Sequence, residues 1–154
     1  MRGTVEPIPV LSVTRRSLGS SAMTAKILIV EDEILVAMNL EETLSELGYD
    51  PVGIVPDLNS ARQYIDQPLD LALVDLNLRD GFTGPQIGAQ LSAAGVAVVF
   101  VTANPGLLND GAAGAIGVIT KPTDEKIVKA AVEYALGTRR GPQVAPPPSM
   151  KLFG

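Results

Sequence analysis

Three carboxylates, an amide, a hydroxyl and an amine stand at matched places in this chain. Glu31 and Asp32 directly follow KILIV, Asp75 follows LDLALV with Asn77 just beyond it, Thr102 follows VAVVFV, and Lys121 follows AIGVIT. Carboxylates held about 4 Å apart repel by roughly 4 kcal/mol per pair at an effective dielectric near 20. Such a group therefore needs positive charge. Lys121 supplies one, and a small hard cation supplies the rest; Mg²⁺ keeps several waters and binds through one or two carboxylates plus phosphate, which suits this set. Under that charge Asp75 becomes a nucleophile for an activated phosphoryl group, giving an aspartyl phosphate while lysine and metal neutralise the equatorial oxygens. Thr102 would donate a hydrogen bond to the new phosphate.

Singly, each residue has a plainer explanation. Asp32 could be the N-cap of a helix with Glu31 favoured by the dipole, Asp75 a turn aspartate, Thr102 a backbone-bonded hydroxyl, and Lys121-Pro122 a solvated charge before a helix stop. The conjunction decides against four unrelated turn residues, because all lie at the carboxyl ends of apolar runs. In an open parallel α/β sheet that is where ligands bind.

The elements that must position them alternate in type. KILIV (26–30), VGIV (52–55), LDLALV (69–74), VAVVFV (96–101) and AIGVI (115–119) are short, rich in β-branched residues and nearly continuous in apolarity, as strands buried on both faces are. In 33–47, Val36, Leu40, Leu44 and Leu47 form an apolar helical stripe with Glu41, Glu42 and Glu46 off it and Gly48 as the stop. A shorter helix is predicted over 57–66, a third from Pro85 through Leu91, and a fifth capped by Thr123 with Asp124 and Glu125 in its first turn. The fourth, over 104–114, contains Pro105, Gly106, Gly111 and Gly114 and is expected to be a distorted turn or a mobile loop. Right-handed crossovers then yield a five-stranded, parallel, doubly wound flavodoxin-like α/β sheet, in which the fourth helix is short or disordered.

Composition narrows the function. A chain of 154 residues with 46% hydrophobic residues suits one folded domain, and no apolar run approaches the roughly 20 residues of a membrane span. No histidine or cysteine is present, which excludes disulfides, the usual zinc sites, Ser/His/Asp triads and histidine general bases. A net charge of −5 provides no basic footprint for nucleic acid. The ends read differently from the middle. Residues 1–22 hold Arg2, Arg15 and Arg16 against the single acid Glu6, lack an apolar signal region, and are expected to be an unstructured extension from an upstream start or a tag, a transit peptide being the weaker alternative. The domain is expected over 23–137, beginning at Met23. Gly137 reads as a helix stop, and 138–154, with Pro146-Pro147-Pro148, as an extended polyproline-like tail.

ILIVEDE, LALVDLNL, VVFVTA and VITKP, in that order over 25–137, resemble the receiver domain of bacterial two-component response regulators. The resemblance implies sheet order 2-1-3-4-5. It further implies that Asp32 is a direct Mg²⁺ ligand, that Glu31 acts largely through water, that Asp75 is the phosphoacceptor, and that Asn77 lends its backbone carbonyl to the metal. Thr102 would be the switch hydroxyl, Lys121 would pair with acid or phosphate, and the small Ala103 would leave room for the phosphoryl donor. The donor would be a sensor histidine kinase or a histidine phosphotransfer protein in the cytoplasm. Output would run through protein contact or phosphorelay, with no nucleic acid or membrane partner; a homodimer is compatible with this reading. Too few residues follow 137 for an effector, so a stand-alone receiver is expected.

One position departs from the family. Three residues before the lysine, receivers usually carry a Tyr or Phe that swings inward, and here it is Val118. This matches the subgroup lacking the switch aromatic, and signalling by ordering of 104–114 is expected instead. Three other classes fit the motifs less well. A pseudo-receiver would predict a broken site, an aspartate-nucleophile phosphatase of the haloacid dehalogenase type wants a second aspartate where Asn77 stands, and a flavodoxin-like cofactor protein wants a glycine-rich phosphate loop after the first strand.

Overall fold

The computed structural model describes residues 24–108, 112, 114–138 and 145–153. In chain order the elements are β1 (Lys26–Val30), α1 (Ile34–Glu46), β2 (Asp50–Val55), α2 (Leu58–Arg62), β3 (Leu71–Val74), α3 (Gly84–Ala93), β4 (Ala97–Thr102), a 3₁₀ turn (Pro105–Leu108), β5 (Gly117–Thr120), α4 (Glu125–Thr138) and β6 (Met150–Leu152). They form one sheet in the order β2-β1-β3-β4-β5-β6. The first five strands pair in parallel, in the expected order 2-1-3-4-5. β6 adds to β5 antiparallel and was not anticipated from the sequence.

Alternation along the central strands divides the core into two layers, since successive side chains point to opposite faces. Leu28, Val30, Ala72, Val74, Val98 and Phe100 pack with Ile87 and Leu91 of α3. Ile27, Ile29, Leu71, Leu73, Val99 and Val101 pack with Ala37, Leu40 and Leu44 of α1 and with Val128, Ala131, Val132 and Ala135 of α4. Burial on both faces is why β1, β3 and β4 carry almost no polar residue. β2 is an edge strand, which is why it tolerates Pro51.

Several local expectations shift. The buried stripe of α1 is Ala37, Leu40 and Leu44, with Val36 and Leu47 half-buried at its margin. The helix stops where expected: Gly48 adopts φ +93° and the Tyr49 N–H returns to the Leu44 carbonyl at 3.0 Å. Its N-cap is Glu33, so Asp32 is not spent on capping. α4 begins one residue later than expected because Asp124, not Thr123, accepts the Ile127 N–H at 2.8 Å, and it runs through Gly137 to Thr138. Among the described residues of the weak fourth segment, Pro105–Leu108 form a 3₁₀ turn whose Leu108 is buried. Residues 109–111 and 113 of that segment, the extension 1–22 with Met23, and 139–144 of the tail lie outside the described residues. The end of the tail is a strand, not a polyproline-like extension: Met150 is buried and Phe153 packs on Phe100. No described helix is long and apolar enough to cross a membrane.

Candidate functional site

The sheet ladder brings the site together. The Asp75 N–H donates to the Val30 carbonyl and the Glu31 N–H to the Val55 carbonyl, both at 2.9 Å, so the acid pair and Asp75 leave adjacent parallel strands side by side. One strand further, the Lys121 N–H donates to the Thr102 carbonyl at 2.9 Å, fixing β4 and β5 end to end. Five of the six predicted residues, Asp32, Asp75, Asn77, Thr102 and Lys121, line one cleft of about 330 Å³. Glu31 lies beneath it, only 3% exposed.

The Lys121 ammonium organises the charge. Its Nζ donates to Glu31 Oε1 at 2.6 Å and to Asp75 Oδ2 at 2.9 Å. The remaining carboxylate oxygens are bonded as well: Leu76 N–H donates to Asp75 Oδ1 at 2.7 Å, and Glu33 N–H to Glu31 Oε2 at 3.1 Å. Burial pushes the Glu31 carboxyl above its usual value, opposed by the bond from Lys121. Burial acts on Lys121 in the other sense, lowering it, but its bonds to Glu31 and Asp75 outweigh this and hold the ammonium above its usual value. Lys121-Pro122 is a cis peptide. Asp32 is exposed at the mouth, and one oxygen from each of Glu31, Asp32 and Asp75 falls within 4.8 Å of the others. At that separation each pair repels by about 3 kcal/mol at an effective dielectric near 20. One ammonium does not balance three carboxylates, and an all-oxygen donor set open to solvent fits a hard divalent cation. Thr102, 1% exposed, accepts the Asn104 N–H on its Oγ1 at 3.1 Å, which leaves its hydroxyl proton free of that bond.

Two features were missed in the sequence. The loop carrying Asn77 is braced from the N-terminus of α2: Asp57 accepts from the Arg79 guanidinium and from the Ser60 N–H at 2.9 Å, while Asp80 accepts the Leu58 N–H at 3.1 Å. An aspartate before a helix signals a cap, but nothing local signals that Arg79 reaches it. The Ser60 N–H, then Arg79, hold the Asp57 carboxyl down at about 2. A depressed folded value means its stabilisation is present above the ordinary value of 3.8 and is lost as pH falls toward 2. Melting temperature should therefore fall more steeply between pH 4 and pH 2 in the wild type than in Asp57→Asn; parallel curves would refute the brace.

The second feature is a close approach. Gly84 opens α3 with its N–H on the Leu76 carbonyl at 3.0 Å, and a Cβ there would stand 2.1 Å from the Asp75 carbonyl oxygen and 2.5 Å from Leu76 Cα. These are backbone atoms of the site strand and cannot turn aside. Gly84→Ala is expected to cost about 1–3 kcal/mol, as overpacking does. Thermal denaturation measures it, and an unchanged midpoint would show that the strand end yields freely.

Beside the cleft, Ile34, Leu35 and Met38 of α1 are exposed, Leu35 to 79%. Leu35 continues into an adjoining groove of about 470 Å³ lined also by Ala103, Lys121, Pro122 and Thr123. The signal was present in the sequence as large apolar residues off the buried stripe.

A doubly wound parallel sheet whose strand ends converge on an acid cluster and a bridging lysine defines a flavodoxin-like α/β domain with an acidic cleft at the carboxyl ends of its strands. The family profile of the response regulator receiver domain matches residues 27–133, and the chain belongs to that family. Among curated proteins it is 35% identical over 86 residues to the phyllosphere-induced regulator PhyR of Methylorubrum extorquens, covering 54% of this chain and 32% of that protein. It is 30% identical over 124 residues to the transcriptional regulatory protein PdtaR of Mycobacterium tuberculosis, covering 78% and 60%. The chain thus spans between about a third and three fifths of these relatives. The solved receiver domain of Erythrobacter litoralis PhyR superposes with a TM-score of 0.70 at 29% identity, covering 80% of this chain and 99% of that one.

Proposed function

We infer that this protein is a phosphorylation-dependent switch of a two-component system, in which Asp75 accepts a phosphoryl group. The observation that carries the reading is the Lys121 ammonium bridging Glu31 and Asp75 under a cleft that also holds Asp32, Asn77 and Thr102. An Asp75 carboxylate oxygen attacks phosphorus, the donor's bond to phosphorus breaks, and the leaving group departs with the electron pair. Leu76 N–H on Oδ1 holds the carboxylate in one orientation, so that the attacking oxygen is Oδ2. Lys121 then follows the charge from carboxylate to phosphoryl oxygen without leaving Glu31. Thr102 turns its hydroxyl proton toward the phosphate, and Ala103 leaves space for the donor.

The residues that would hold Mg²⁺ are Asp32 and Asp75 directly, Asn77 through its backbone carbonyl, and Glu31 through water. When bound, the ion supplies charge neutralisation on the phosphoryl oxygens. The exposed apolar face at Ile34, Leu35 and Met38, adjoining the cleft, supports a protein as donor, namely a cytoplasmic sensor histidine kinase or phosphotransfer protein. The protein is thus a phosphoacceptor whose only chemistry is its own phosphorylation and dephosphorylation. Residues 23–137 make up the receiver unit in this reading, and the switch begins at Thr102, whose Oγ1 holds the backbone leading to the 3₁₀ turn. Incubation with acetyl phosphate and Mg²⁺, followed by intact-mass measurement, tests the reading. One base-labile phosphoryl group is expected, and none would identify a pseudo-receiver.

A further inference from the structure

Beyond β5 the sheet carries a strand outside the alternating pattern. Ile119 pairs with Met150, Val118 with Lys151 and Gly117 with Leu152, and the Phe153 N–H donates to the Ile116 carbonyl at 3.0 Å. The segment grips both faces of the sheet. Met150, 5% exposed, enters the layer beneath α1 and α4. Phe153 enters the opposite layer with its ring centroid 6.5 Å from that of Phe100, while Lys151 and Leu152 remain exposed. The edge is also cut to receive a backbone: a Cβ at Gly117 would stand 2.4 Å from the Lys151 carbonyl oxygen and 3.0 Å from Met150 Cε.

We propose that the outer edge of β5 is a strand-accepting interaction surface, and that residues 150–153 are its resident, displaceable occupant. The partner it fits is an extended segment of another protein with an apolar residue and, three positions on, an aromatic one. An edge strand is a row of unpaired N–H and C=O groups, and added strands take affinity from that ladder and specificity from side-chain pockets. The present occupant pairs through a strand of three residues, Met150–Leu152, shorter than most strands, and rests on two anchors, so it belongs to the low-stability end of the fold. Because Val118 is small, the aromatic on this edge comes from the occupant and not from β5. Phe153, Phe100, Val118 and Leu108 share one apolar layer, and Leu108 belongs to the 3₁₀ turn that follows Thr102. The surface requires no phosphate, so this proposal goes beyond the phosphorylation reading and stands or falls separately.

The test uses the full chain without phosphoryl donor. A fluorescent peptide with the sequence of residues 147–154 is titrated against wild type and Phe153→Ala and followed by anisotropy. A tethered occupant competes at an effective concentration in the millimolar range, so weakening it should tighten peptide binding by at least about tenfold. A peptide with alanine in place of its phenylalanine should bind neither chain. Equal affinity for both chains, no binding to a folded Phe153→Ala, or undiminished binding of the alanine peptide overturns the proposal. Should circular dichroism show Phe153→Ala unfolded, Met150→Ser takes its place. Amide exchange of the wild type decides independently: Met150–Phe153 should exchange at least about a hundredfold faster than β3, and equal protection would make the strand a permanent part of the sheet.

Discussion

Asp75→Asn is expected to abolish labile phosphorylation while leaving the fold in place. The carboxamide keeps an oxygen to accept the Leu76 N–H, and Lys121 retains Glu31 at 2.6 Å. What is lost is the anionic oxygen that now faces Lys121 at 2.9 Å, and an amide oxygen does not form a stable mixed anhydride. Removing one of three mutually repelling carboxylates offsets the lost ion pair, so unfolding free energy should change by no more than about 1 kcal/mol. The variant is treated with acetyl phosphate and Mg²⁺ beside the wild type, and intact mass is read before and after mild base. A base-labile phosphoryl group on Asp75→Asn would place the acceptor elsewhere. A large drop in melting temperature would show that the carboxylate is structural.

Asp32→Ala should lose Mg²⁺ binding without loss of fold. Its side chain is exposed at the cleft mouth, and Glu33 rather than Asp32 caps α1, so truncation leaves no buried group unpaired. Its oxygens complete the cluster with Glu31 and Asp75, and removing a direct ligand should weaken the ion by at least about tenfold, the lower end of what outer-shell changes already cost. At 100 times its dissociation constant a bound ion stabilises by about 2.7 kcal/mol. Wild type should therefore melt several degrees higher with saturating Mg²⁺, whereas Asp32→Ala at the same concentration should gain at most about half that stabilisation, about 1.4 kcal/mol for a tenfold weaker ion, with an apo midpoint at or above wild type. A wild type insensitive to Mg²⁺, or a variant with the same shift, would remove Asp32 from the ligand set.

Fold class and the approximate strand ends were legible in the sequence for a physical reason, whereas the strand order 2-1-3-4-5 came with the family resemblance. Strands buried on both faces must be apolar almost throughout, so the first polar residue after each run marks where the chain leaves the sheet. Parallel crossovers then bring those ends to one side, which is why the sequence alone groups Glu31, Asp32, Asp75, Thr102 and Lys121. Only the tertiary structure decided how the charges are shared. Lys121 bonds Glu31 across 90 residues and Asp75 across 46, a choice set by sheet register and rotamer that no local pattern encodes. The same holds for Arg79 on Asp57, which braces the Asn77 loop from the N-terminus of α2. The sixth strand was the least legible element. Three residues after a proline run carry no periodicity, and their strand conformation arises from burial of Met150 and Phe153 against residues far away in the chain. Sequence by itself determined which chemistry is gathered at the strand ends; tertiary structure decided which charges pair there and what covers the edge of β5.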